Sequence, residues 1–132
     1  MDPAGASSRT RRVTVESFVH EVLVDGRVES LEAYFDGDTY VQHNPHIADG
    51  LSGLREALVE MEAADVTMTY DEIHMVLGEG DFVLTVSEGE LAGAHVAFSD
   101  LFRVEDGNVG EHWDVVQPIP PRDEWENDNG KF

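Results

Sequence analysis

The stretch from His95 to Pro118, HVAFSDLFRVEDGNVGEHWDVVQP, limits what this chain can become more than any other. It reads as two long strands joined around Glu105-Asp106-Gly107. Along the first strand Val96, Phe98, Asp100, Phe102 and Val104 fall on one face, and His95, Ala97, Ser99, Leu101 and Arg103 on the other. The first set is apolar apart from Asp100. A carboxylate among phenylalanines is costly to bury unless it is paired or neutralised, so its presence asks for an explanation.

The turn decides which residues share that face. A two-residue type I′ turn at Asp106-Gly107 pairs Val104 with Val109 and sets Asp100 opposite Trp113. A type I turn with Gly107 as a left-handed bulge pairs Val104 with Asn108 and sets Asp100 opposite His112. A slip of one residue exchanges the two faces. The bulged turn is favoured, because Asp-Gly after an ordinary residue suits it and because it gathers Asp100, His112 and Asp114 beside Phe98 and Phe102. Trp113, Leu101, Val109 and Val115 then share the other face, and an apolar outer face predicts a homodimer built sheet to sheet.

The preceding chain alternates between helical and extended patterns. Residues 1–12 read as a disordered basic leader and residues 13–121 as one domain. Val15, Phe18, Val19, Val22 and Leu23 give a helix with Thr14 as N-cap and Gly26 as stop. A short helix places Val28, Leu31 and Tyr34 or Phe35 inward, and Asp36-Gly37-Asp38 breaks it. Tyr40 to His46 is a brief strand ended at Pro45. After the Asp49-Gly50 turn, Ser52 caps a third helix that uses Leu54, Ala57, Leu58 and Met61.

Two further strands and their turns lead into the hairpin. Val66, Met68 and Tyr70 alternate inward, but the next apolar residues are Ile73, Met75 and Leu77, so a bulge is expected at Asp71-Glu72. Phe82 to Leu91 is a strand, Ala92-Gly93 a turn, and Pro118, Pro120 and Pro121 end the meander. Residues 122–132 form a polar tail. Three helices followed by a curved antiparallel sheet predict an α+β fold, a cone-shaped sheet closed by the helices around an apolar pocket.

Charge narrows the partners. Aspartate and glutamate number 28 against 8 lysines and arginines, a formal net charge of −20, and Lys131 is the only lysine. Such a surface repels phosphate backbones and anionic membranes, so neither nucleic acid nor membrane is an expected partner. The near loss of lysine resembles proteins of salt-accumulating microbes. With no cysteine there is no disulfide or thiolate chemistry, and with no long apolar run or signal-like start a cytoplasmic protein is expected.

Tyr40-Val41-Gln42-His43-Asn44-Pro45 with Asp49-Gly50 and Gly53, then Asp100-Leu101-Phe102-Arg103, Asp106-Gly107 and Glu111-His112-Trp113-Asp114-Val115-Val116-Gln117-Pro118, resemble SnoaL-like proteins of the nuclear transport factor two-like superfamily. The resemblance runs from Val13 to Pro118 and implies a cystatin-like roll. It also implies cofactor-free, metal-free acid/base chemistry of the polyketide-cyclase type, an aldol cyclisation, isomerisation or related lyase step on an apolar carbonyl compound. Asp114 matches the acid/base of those cyclases, His112 or His43 would hold the enolate oxygen, and Asp100 would orient His112 or share a proton with Asp114. Asn44, Tyr40, Phe98 and Phe102 join Asp100 as substrate-binding candidates.

Competing readings stand beside these. His112 and Asp114, two apart on one face, could form a metal pair with His43. Asp100 could make a structural ion pair with Arg103 or Arg55. A non-catalytic ligand-binding or dimerisation domain of the same fold is the alternative function. His46, His20 and His74 read as solvent-facing or ordinary structural residues.

Overall fold

The computed structural model describes residues 4–132, with side chains from Ser8 onward. Helix α1 spans Ala4–Phe18 and continues as a π-helical segment, Val19–Val24, and a 3₁₀ segment follows at Val28–Tyr34. The short strand β1, Val41–Gln42, precedes helix α2, Gly50–Ala63. Strands β2 (Met68–Glu79), β3 (Phe82–Leu91), β4 (Ala94–Glu105) and β5 (Asn108–Pro118) complete the fold. They form one sheet in the order β1-β5-β4-β3-β2, antiparallel except where β1 runs parallel to β5. This is the expected α+β architecture, with the helices on one face of the sheet. None of the described helices is long and apolar enough to cross a membrane.

The core is where the inward stripe of each element meets. Val15, Phe18, Val19 and Val22 from the first helix pack with Leu31 and Phe35 against Val83, Val96, Phe98, Phe102, Val104 and Val109 of the sheet. Phe18 stands edge-on to Tyr34, Phe35 and Phe102, with ring centroids 5.3, 5.6 and 5.8 Å away. Burying one such side chain contributes about 1.5–3 kcal/mol, so this aromatic knot fixes the first helix onto the sheet.

Several local expectations need correction. The first helix begins at Ala4 and not after Thr14, so residues 4–12 belong to the folded domain; residues 1–3 lie outside the described region. Arg11 explains the extension, since its guanidinium donates to the Gly80 carbonyl at 2.6 Å and pairs with Asp81 at 3.0 Å. Ser52 does not cap α2. Its backbone N–H and hydroxyl donate instead to Asp38, at 2.8 and 2.9 Å, and these bonds hold the Asp38 carboxyl below its ordinary pKa. A distant aspartate thus serves the helix N-terminus, while the adjacent Asp49 accepts from the Gln42 N–H.

The register of the last hairpin departs from both sequence readings. Asp106 and Gly107 have positive φ angles of 50° and 81°, and Val104 pairs with Val109, so the turn is the two-residue form and not the bulged one. The ladder then shifts by one residue between Arg103 and Val104, leaving Gly110 as an extra residue. Beyond it Phe102 pairs with His112 and Asp100 with Asp114. Val109 is therefore in the core, 2% exposed, and not beside Trp113. In β2 the bulge expected after Tyr70 is present, and a second between Ile73 and Met75 reverses the phase again. Met75 and Leu77 consequently face outward, 43% and 59% exposed.

Candidate functional site

Asp100 is 1% exposed at the centre of β4, and two other strands reach it. The Tyr70 hydroxyl of β2 donates to its Oδ2 at 2.9 Å, and His112 Nε2 of β5 lies 2.8 Å from its Oδ1. The His112 ring is stacked on Phe102, centroids 4.7 Å apart, which fixes its plane. Its Nδ1 meets Gln42 Oε1 at 3.1 Å. Parallel pairing of Gln42 with His112 brings these two side chains together.

The hydrogen-bond pattern assigns most of the protons. Gln42 Oε1 also accepts the Asn44 N–H at 3.0 Å, and Gln42 Nε2 donates to the Tyr40 hydroxyl oxygen at 2.6 Å. An acceptor facing Nδ1 means that His112 carries its hydrogen there. Nε2 and Asp100 Oδ1 then hold one proton between them, as imidazolium with carboxylate or as imidazole with carboxylic acid. Tyr40 accepts from Gln42 and keeps its own proton for donation. Burial first, and then the charge of Asp100, raises the hydroxyl pKa of both Tyr40 and Tyr70, so both stay protonated.

Asp114 lies across the ladder from Asp100. Asn44 Oδ1 accepts the His46 N–H at 3.0 Å, which turns its amide nitrogen toward Asp114 Oδ2, also at 3.0 Å. The second Asp114 oxygen has no hydrogen-bond partner among the described residues. The chain thus holds one carboxylate by one oxygen, next to a phenol and an aspartate-histidine pair.

These groups open on an apolar space in two parts. An inner chamber of about 90 Å³ is bounded by the Phe18 and Val22 stripe, by Leu54, Leu58 and Met61 of α2, and by Tyr40, Tyr70, Asp100, His112 and Asp114. An outer recess of about 350 Å³ is bounded by Asn44, Ile47, Leu91, Phe98 and Val116 and shares Asp114, Tyr70, Met61 and Met68 with the inner one. Among the described residues no lysine or arginine lines either part. The combination is a greasy cup with a few convergent polar groups, the usual form of a small-molecule site.

Of the candidates read from sequence, Asp100, His112, Asp114, Tyr40 and Phe102 line the inner chamber, and Asn44 and Phe98 line the outer recess. His43 does not join them. Its ring lies flat on Trp113, centroids 4.6 Å apart, and its Nε2 meets Glu111 Oε2 at 2.6 Å on the outer face of the sheet. His43, followed by Arg103, holds Glu111 below its ordinary pKa. Arg103 binds Glu111 and Glu105, and Arg55 binds Glu32, so neither arginine pairs with Asp100. A metal set including His43 is excluded by this placement. Oxygen and nitrogen atoms of Asp100, His112 and Asp114 do lie within 4.8 Å of one another and could hold a divalent ion.

Gln42 and Tyr70 were missed. Gln42, 9% exposed, was readable as the middle of the alternating set Tyr40, Gln42, Asn44. Tyr70 was read only as an inward apolar residue, yet a buried phenol needs a partner, and Asp100 supplies it.

The SnoaL-like domain family matches residues 15–112. A protein of unknown function with a cystatin-like fold from Xanthomonas campestris superposes with a TM-score of 0.68 at 21% identity, over 80% of this chain and 89% of that one. An LEH-like epoxide hydrolase of M. tuberculosis gives 0.64 at 22% identity, over 84% and 85% of the two chains. A SnoaL-like polyketide cyclase of Agrobacterium tumefaciens gives 0.58 at 15% identity, over 74% and 84%. No curated protein matches the sequence. Likeness at these identities establishes the fold, and the chemistry has to come from the site.

Proposed function

This chain belongs to the SnoaL-like domain family, and on that premise we propose that it is a cofactor-independent enzyme of the cyclase or isomerase type, moving a proton next to a carbonyl group in an apolar substrate. The observation that carries this reading is the arrangement of Asp114, with one oxygen held by Asn44 and the other without a hydrogen-bond partner among the described residues, beside the protonated Tyr40. A base and an oxyanion donor in one water-poor chamber are the two parts that enolisation needs.

In the proposed reaction Asp114 takes the proton from carbon adjacent to the carbonyl. The electron pair moves to the carbonyl oxygen, which the Tyr40 hydroxyl stabilises as enolate. In an isomerisation Asp114 returns the proton to another carbon of the conjugated system. In an aldol closure the enolate carbon attacks a second carbonyl carbon, and the resulting alkoxide takes the proton back from Asp114. Asp100 and His112 are positioning residues: through Gln42 they fix where the Tyr40 hydroxyl stands.

Deuterium incorporation next to the carbonyl of small apolar ketones, followed by NMR in deuterated buffer, tests this. The wild type exchanges those hydrogens, and Asp114→Asn slows exchange by about 10²–10⁴-fold while keeping its folded spectrum. Equal rates in the two proteins remove Asp114 from the mechanism. Saturable binding of the same ketones without exchange selects the ligand-binding domain.

The same proposal includes a second copy of the chain. Leu77, Phe82, Leu84 and Leu101 line a shallow outer recess, and Val115 on that face is 65% exposed. An apolar sheet face on so acidic a molecule suits a self-complementary interface.

A further inference from the structure

We propose that the outer face of the sheet carries a binding site for one divalent first-row transition ion, with Glu72, His74 and Glu88 as ligands and His95 orienting Glu88. Glu72 and His74 stand on β2, and Glu88 faces them from β3. His74 Nε2 lies 2.9 Å from Glu88 Oε1 and 3.7 Å from Glu72 Oε2, and one ligand atom from each of the three falls within 4.8 Å of the others. A tetrahedral ion with bonds of about 2.0 Å sets its ligands about 3.3 Å apart, so small side-chain adjustments bring this set to ion-binding distance.

Three features of the backbone and its surroundings point the same way. Glu72 and Glu88 are paired directly across the β2–β3 ladder, where like charges repel. A cation between them turns that repulsion into attraction. His74 is the extra residue of the second β2 bulge, a device that re-aims a side chain. The Phe132 ring lies flat on the His74 ring, centroids 4.0 Å apart, which holds the imidazole plane.

His95 of β4 completes the arrangement. Its Nε2 reaches the second Glu88 oxygen, Oε2, at 2.6 Å and leaves Oε1 for the ion. A hydrogen-bonded ligating carboxylate is the usual outer-shell support of a metal site. One imidazole nitrogen with two carboxylate oxygens favours zinc, cobalt, nickel or manganese over calcium and magnesium, which take oxygen alone. Such an ion would join β2 to β3 directly and β4 through His95, at the edge of the sheet farthest from β1.

The test is equilibrium dialysis of the untagged full chain against zinc ion, with four variants checked for folding by circular dichroism. The wild type and His112→Ala each bind one ion per chain with the same affinity. His74→Ala and Glu88→Gln bind at least tenfold more weakly, and His95→Ala about tenfold. Three results overturn the proposal: no saturable binding by the wild type, undiminished binding by His74→Ala and Glu88→Gln, or binding lost in His112→Ala alone. The last would place the ion in the inner chamber, on Asp100, His112 and Asp114.

Discussion

Tyr70 and His112 meet opposite oxygens of Asp100, and the loss of each partner has a different cost. Tyr70→Phe removes one hydrogen bond to a charged or proton-sharing group and should lower stability by about 1.5–3 kcal/mol in urea unfolding. His112→Ala leaves a carboxylate at 1% exposure without its proton-sharing partner and should cost more, about 3–5 kcal/mol. Equal losses would mean that the pair carries no buried charge. Sequence made Asp100 legible through its apolar neighbours on one strand face. It also made the exclusion of His43 legible, because Tyr40 and Asn44 are an even number of residues apart and His43 lies between them in the opposite phase. Naming all three together overlooked that parity. The Gln42 link was out of reach, since it depends on a parallel pairing that nothing in the local pattern announces.

At the scale of elements, the last hairpin keeps its faces through a compensation. The turn is one residue tighter than the favoured reading, and Gly110 adds one residue within the strand, so His112 and Asp114 return to the Asp100 face. Deleting Gly110 should therefore exchange the faces, move Trp113 inward and bring His112 and Asp114 out. The expected result is loss of the folded near-ultraviolet spectrum or, in any folded fraction, loss of deuterium exchange. A folded, active deletion variant would show that the register is not set there. The hairpin's existence, the limits of β3 and its Ala92-Gly93 turn were readable, because alternation and turn residues agree there. The second bulge of β2 was not, since Ile73, Met75 and Leu77 alternate as cleanly outside as in. The start of α1 was missed because a short basic polar segment looks unstructured until Arg11 finds Asp81 and the Gly80 carbonyl.

For the whole molecule, a net charge of −20 on 132 residues is self-repelling wherever counter-ions are scarce. Thermal unfolding should move upward as sodium chloride rises from about 0.01 M to 1 M, over which the screening length falls from about 30 to 3 Å. A midpoint independent of salt would detach the composition from any saline setting. Sedimentation tests the second copy: the wild type should run as a dimer, and Leu77→Glu with Phe82→Glu as a monomer that retains the inner chamber. A monomeric wild type at micromolar concentration would refute the proposed interface. The composition made this acidity plain, but the exposed apolar patch depends on bulges and register and so needed the fold. Among the described residues neither part of the cup has a lysine or arginine on its wall, and the His112 imidazole is already engaged by Asp100. On the proposed chemistry, a carboxylate or phosphate ester would cross a like-charged skin to meet no lysine or arginine inside, so uncharged guests are the expected ones.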